Sequence, residues 1–139
     1  MPSKKRSVAK PCESTVFFVD RSLGVEPIRS ELSAAGLAVE IHDDHFKRDE
    51  DDGVWLSEVG TRGWVVLTKD QRLRYRPLEI AALKASRARV FVLVAGNLRG
   101  SEIAAVFVAA LPAMFRILRG REGPFVARVT KRGAVALGS

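Results

Sequence analysis

An α/β fold is predicted, with a mostly parallel central sheet of four to five strands and helices on both faces. Three observations predict it. The runs VFFV (16–19), WVVLT (64–68) and VFVLVA (90–95) are continuously apolar and rich in β-branched or aromatic residues. Such runs fit strands buried on both faces, whereas half-exposed strands alternate. Segments of helical spacing separate them, and a strand–helix–strand alternation gives parallel pairs with right-handed crossovers. The first and third runs end at or just before an acid, Asp20 and Asp70. In open parallel sheets that end of the strands is where ligands bind.

The elements follow in order. After the first strand, Ile28, Leu32 and Ala35 recur at helical spacing, Pro27 is tolerated in a first turn and Gly36 is a stop signal, so residues 25–35 are a helix. Residues 37–42 (LAVEIH) are rich in strand formers and make the second strand. An acidic stretch, HDDHFKRDEDDG (42–53), leads to a helix over 53–61 with Trp55 and Val59 on one face, N-capped by Asp51 or Asp52. The third strand follows, then a basic loop, QRLRYRP, then a helix over 77–86 that opens on proline, then the fourth strand. Residues 101–118 are the most apolar segment. A membrane span needs about 20 apolar residues, and Pro112 and Arg116 interrupt this one, so it reads as a buried helix kinked at Pro112. PFVARV (124–129) and 134–137 form a final strand or an edge hairpin.

At 139 residues and 47% hydrophobic content, the chain supports one packed domain and is not a disordered segment. Residues 1–13 read as a flexible basic tail and 14–139 as the single domain. The N-terminal charge is not followed by an apolar h-region, so secretion is not indicated. The lone Cys12 cannot close an internal disulfide, which suits a reducing, cytoplasmic setting. The net charge of +7 is unevenly spread. Residues 1–60 hold 8 Lys/Arg against 12 Asp/Glu, and residues 61–139 hold 15 against 4. The basic half favours a polyanion partner, because each neutralised phosphate releases counterions. The acidic half calls for a cation.

The acids define that cation's place. Asp20 and Asp70 close strands one and three, Asp52 opens the helix that feeds strand three, and Asp43 and Asp44 leave strand two. Side-chain alternation pairs Asp44 with His42 on one face and Asp43 with His45 on the other. Carboxylates brought together repel, and a hard divalent ion such as Mg²⁺ or Mn²⁺ relieves that repulsion in an all-oxygen site. Zinc at the H-x-x-H pair His42/His45 is disfavoured, because the pair lies at a strand end. Arg72, Arg74 and Arg76 follow Asp70 directly and are placed to track phosphates, or else form a solvated loop. Trp55 and Trp64 read as core.

Taken together, FFVDRSLG, DDHF, DDGVWLSEV, GWVVLTKDQRLR and VFVLVAGNL resemble the PIN-like nuclease family, in particular VapC-type toxins, across roughly residues 15–129. The resemblance implies a three-layer α/β/α fold and an endoribonuclease cleaving RNA phosphodiesters with Mg²⁺ or Mn²⁺. It puts the family's acids on Asp20, Asp52 and Asp70, the last in a T-[KR]-D motif, with Asp44 as a further metal candidate. Arg72, Arg74 and Arg76 would bind RNA, with Arg21 and Asn97 accessory. It also implies a cognate antitoxin from a type II toxin–antitoxin pair, leaves a homodimer open and involves no membrane. The chain departs from the family where a helical Glu is common between the first two acids, and where Asn97 stands after strand four. Two rivals remain. A receiver-like phosphoacceptor needs a Lys after its last strand, where only Lys131 is present, and an acidic pair closing strand one, which is absent. A non-catalytic nucleic-acid- or protein-binding module would use the basic half alone.

Overall fold

A computed structural model describes residues 15–137. The expected basic tail lies outside the described residues. Strands β1 (Val16–Val19), β2 (Ala38–Ile41), β3 (Val65–Thr68), β4 (Arg89–Leu93), β5 (Phe125–Val129) and β6 (Val135–Leu137) form one sheet in the order β2-β1-β3-β4-β5-β6. The first five are parallel, and β6 folds back antiparallel on β5. The sheet therefore has six strands where four to five were predicted, because the terminal segment closes as an edge hairpin.

Alternation along each strand sorts the core into two layers. Phe17, Val19, Val65, Leu67, Phe91, Leu93, Ala127 and Val129 face helices α1 (Ile28–Ala34) and α4 (Gly100–Gly120). Phe18, Val66, Val90 and Val92 face α2 (Asp52–Thr61) and α3 (Pro77–Ser86). This is the α/β/α sandwich, and it explains why the central strands carry no polar break. Each large aliphatic side chain so buried contributes roughly 1.5–3 kcal/mol. β2 lies at the sheet edge, which lets Val39 and Glu40 stay half-exposed.

The helix boundaries differ from expectation in small, explicable ways. α1 begins at Ile28 rather than residue 25, because Pro27 sits at the cap. The basic loop after β3 is not irregular: Gln71–Arg74 forms a 3₁₀ turn whose cap, Asp70, accepts a hydrogen bond from Arg72 N–H. α4 runs as one helix through Pro112, whose ring lies on the exposed side. By length and composition α4 could cross a membrane, but Ile103, Ala104, Val106, Phe107, Ala110, Met114 and Leu118 are buried in this core. α2 and α3 cross closely at Gly60, where a Cβ would collide with the Ser86 hydroxyl.

Candidate active site

The connections fix where a crevice opens. From β1 the chain crosses to β2 on one side and then returns to β3 on the other. The switch point lies between the carboxyl ends of β1 and β3, the position at which parallel sheets bind ligands. Val19 is level with Leu67, so the residues after them, Asp20 and Thr68, meet there.

Asp20 is held firmly. Its N–H continues the ladder to Leu67 O at 3.0 Å, and the residue is only 7% exposed. Carboxylate Oδ2 accepts from Thr68 Oγ1 and from Ser22 Oγ, each at 2.7 Å. Thr68 Oγ1 in turn accepts from Asp70 N–H at 3.0 Å, and Ser22 Oγ accepts from Lys69 N–H at 3.1 Å. Both hydroxyls, which also lie 3.1 Å from each other, thus reach one oxygen of Asp20. The other, Oδ1, takes no hydrogen bond among the described residues.

The other acids are met by cations instead. Arg72 donates to Asp70 through Nε at 2.9 Å and Nη2 at 3.1 Å, so both carboxylate oxygens are engaged. These hydrogen bonds from Arg72 hold the Asp70 carboxyl below its ordinary value against some desolvation, with Arg76 adding its charge. Asp70 likewise raises the Arg72 guanidinium, to which Asp52 and Glu79 also contribute. Asp52 is the first helical residue of α2 and Asp51 is its cap. Neither side chain caps the helix; Asp52 Oδ1 accepts from Trp55 Nε1 at 2.9 Å. Its Oδ2 stands 3.9 Å from Arg76 Nη1. An open cleft of about 590 Å³ brings Asp52, Arg76 and Glu79 together with Glu50 and Asp51.

Thus Thr68 joins Asp20 to Asp70, and arginines join Asp70 to Asp52. Among the described residues no three His, Cys, Asp or Glu side chains stand ready as a metal cluster. The donor set nevertheless suits a hard divalent ion. The acids offer only oxygen, and among the described residues Asp20 Oδ1 takes no hydrogen bond and Glu79 Oε1 is buried without a donor.

The remaining candidates lie elsewhere. Asp44 is exposed in the 3₁₀ turn His42–Asp44 that follows β2. That turn cancels the alternation expected there. His42 Nδ1 contacts its neighbour Asp43 at 3.2 Å, and His45 Nε2 contacts Glu40 at 2.7 Å. The H-x-x-H pair is split accordingly: the His42 ring packs among Phe18, Phe46 and Trp55, and the His45 ring edges onto Trp64. Arg21 spends its Nε on Asp43 at 2.9 Å. Despite some desolvation, His42 and Arg21 together hold Asp43 below its ordinary value. Arg74 lies over the Tyr75 ring. Asn97 adopts a left-handed turn conformation, φ 57°, as short polar residues do.

Residues 15–95, more than half of the chain, match the family described as PIN like domain. The chain belongs to the PIN-like domain family. This PIN-like domain is also 28% identical over 114 residues to the "Putative ribonuclease VapC45" of Mycobacterium tuberculosis (strain ATCC 25618 / H37Rv), an alignment covering 79% of this chain and 82% of that protein. No solved structure matches it. Sequence reasoning passed over three residues of the site: Ser22 and Thr68, which bond to Asp20, and Glu79, which lines the cleft with Asp52. Thr68 was visible as the first letter of the T-K-D motif, and Ser22 as a hydroxyl two residues beyond Asp20. Glu79, two residues after Pro77, looked like an ordinary helix-start acid.

Proposed function

We propose that this PIN-like domain is a metal-dependent endoribonuclease acting in the cytoplasm as the toxin of a type II toxin–antitoxin pair, restrained by a cognate antitoxin. The observation that carries the reading is Asp20: a buried carboxylate at the switch point, held by two hydroxyls on one oxygen and open on the other. Its sequence relative's name, which includes ribonuclease and VapC, supports the same direction.

In this reading Asp20, Asp52 and Asp70 hold Mg²⁺ or Mn²⁺, with Asp44 a weaker candidate because it lies in an exposed turn after β2. When bound, such an ion lowers the pKa of a water and neutralises charge building on the phosphodiester. Thr68 and Ser22 keep Asp20 oriented, because both reach its Oδ2. Arg72 and Arg76 lie beside the acids, and with Arg74 from the same turn they supply forked donors for RNA phosphates.

The test is cleavage of RNA with Mg²⁺ or Mn²⁺ and its loss in EDTA. Asp70→Asn is expected to abolish cleavage; full activity in that variant removes the proposal. Millimolar Mg²⁺ is expected to raise the melting temperature, since a ligand at about 100 Kd stabilises by about 2.7 kcal/mol. RNA binding that is salt-sensitive, lacks cleavage and is indifferent to Asp20→Asn is the signature of a binding module instead.

A further inference from the structure

One carboxylate in the cleft is buried without a partner that accounts for it. Glu79 is 9% exposed and sits in the first turn of α3. A glutamate there ordinarily reaches back to a backbone N–H at the helix start, yet Glu79 makes no such bond. Among the described residues its Oε1 is buried with no hydrogen bond. The nearest cation, Arg76 Nε, is 4.0 Å away, beyond hydrogen-bonding reach. The same guanidinium stands 3.9 Å from Asp52 Oδ2. Arg76 thus lies between two carboxylate oxygens and bonds closely to neither, while Trp55 pins the other oxygen of Asp52.

A buried ionised carboxylate with no donor is costly. Glu79 Oε1 and the part-exposed Asp52 Oδ2 face one loosely held cation, an arrangement that suits something smaller and harder. We propose that Glu79 and Asp52 are paired ligands of a divalent cation, and that Arg76 is the counter-ion this cation replaces. Mg²⁺ and Mn²⁺ suit the pair, because one or two carboxylates with waters and substrate phosphates complete their coordination. Once replaced, Arg76, 45% exposed at its side chain, is free to turn along its flexible stem toward the solvent side of the cleft. The inference rests on the nuclease reading in taking this ion to be the reaction's own.

The experiment is Mn²⁺ binding to the full chain without RNA, followed by calorimetry and by the electron paramagnetic resonance of free Mn²⁺, alongside melting in EDTA. E79Q is expected to weaken Mn²⁺ binding at least as much as loss of an outer partner weakens a metal site, roughly tenfold to a hundredfold. R76Q is expected to tighten it several-fold, because a competitor is gone. In EDTA, E79Q is expected to melt at or above the wild-type temperature, since a neutral amide replaces the orphaned charge, and to lose the Mn²⁺-induced rise. E79Q binding Mn²⁺ like the wild type, or melting lower in EDTA as a mere structural partner of Arg76 would, overturns the inference. If D70N loses Mn²⁺ while E79Q keeps it, the nuclease reading survives and this one fails. If E79Q loses Mn²⁺ while D70N keeps it, the Asp52–Glu79 pair stands without that reading's third acid.

Discussion

Asp20 and Asp70 close neighbouring strands of one sheet, yet the fold treats their charges in opposite ways. Asp20 is braced by two neutral hydroxyls, which orient a carboxylate without cancelling it. Asp70 is gripped by a guanidinium at two points, which orients and cancels at once. The uneven charge along the chain meets here: the acidic first half delivers Asp20 and Asp52, and the basic second half delivers Arg72 and Arg76. The difference teaches that one site can orient its acids in two ways, by neutral hydroxyls or by its own cations. On the proposed metal-dependent reading, Asp20 is the fixed ligand and the Asp70–Asp52–Glu79 side the exchangeable one.

The comparison breaks most visibly at Asp20. Asp20→Asn keeps the size and one acceptor oxygen but removes the charge. RNA cleavage is expected to fall by at least about a hundredfold, beyond what loss of an outer-shell partner costs a metal site, with the melting temperature nearly unchanged. Undiminished cleavage would show that the braced anion has no part in the chemistry. Asp20→Ala goes further, leaving two hydroxyls without their acceptor, and is expected to cost about 1–3 kcal/mol in denaturant unfolding.

Next in size is the brace itself. Thr68→Val is nearly isosteric, but it removes a donor to Asp20 and the acceptor of Asp70 N–H in a residue with no exposure. Leaving that N–H unmatched is expected to cost about 1–3 kcal/mol, measured by urea unfolding. Thr68→Ser keeps the hydroxyl and should recover most of the loss. If valine is as stable as threonine, the two strand ends are joined by the ladder alone.

How far the sequence reached follows the same division. The strands were legible because burial on both faces forces unbroken apolar runs, and the edge hairpin was named as one of two options. The likeness of the motifs to PIN-like domains and VapC-type proteins is matched by both comparisons. What remained hidden was contact across the crossover. Ser22 and Thr68 are small hydroxyl residues whose role appears only when β1 and β3 lie side by side. Alternation failed at Asp43 and Asp44 because the strand ends at Ile41 and a 3₁₀ turn takes over. Glu79 followed a proline at a helix start, where capping explains an acid so readily that nothing in the pattern signalled burial.

The smallest effect tests the cancelled side. Because Arg72 lowers the native carboxyl of Asp70, the pair contributes stability above the ordinary carboxylate range and loses it as pH falls through the depressed native value. The Arg72 side chain is 65% exposed, so solvent screens the pair and Arg72→Gln should cost little at neutral pH. The gap between variant and wild type, followed by urea unfolding, is expected to close on acidification and to shrink as salt is raised. A gap that persists in acid would mean that Arg72 stabilises by packing rather than by charge. The guanidinium would then be no stand-in for a cation, and the contrast between the two strand ends would be one of shape alone.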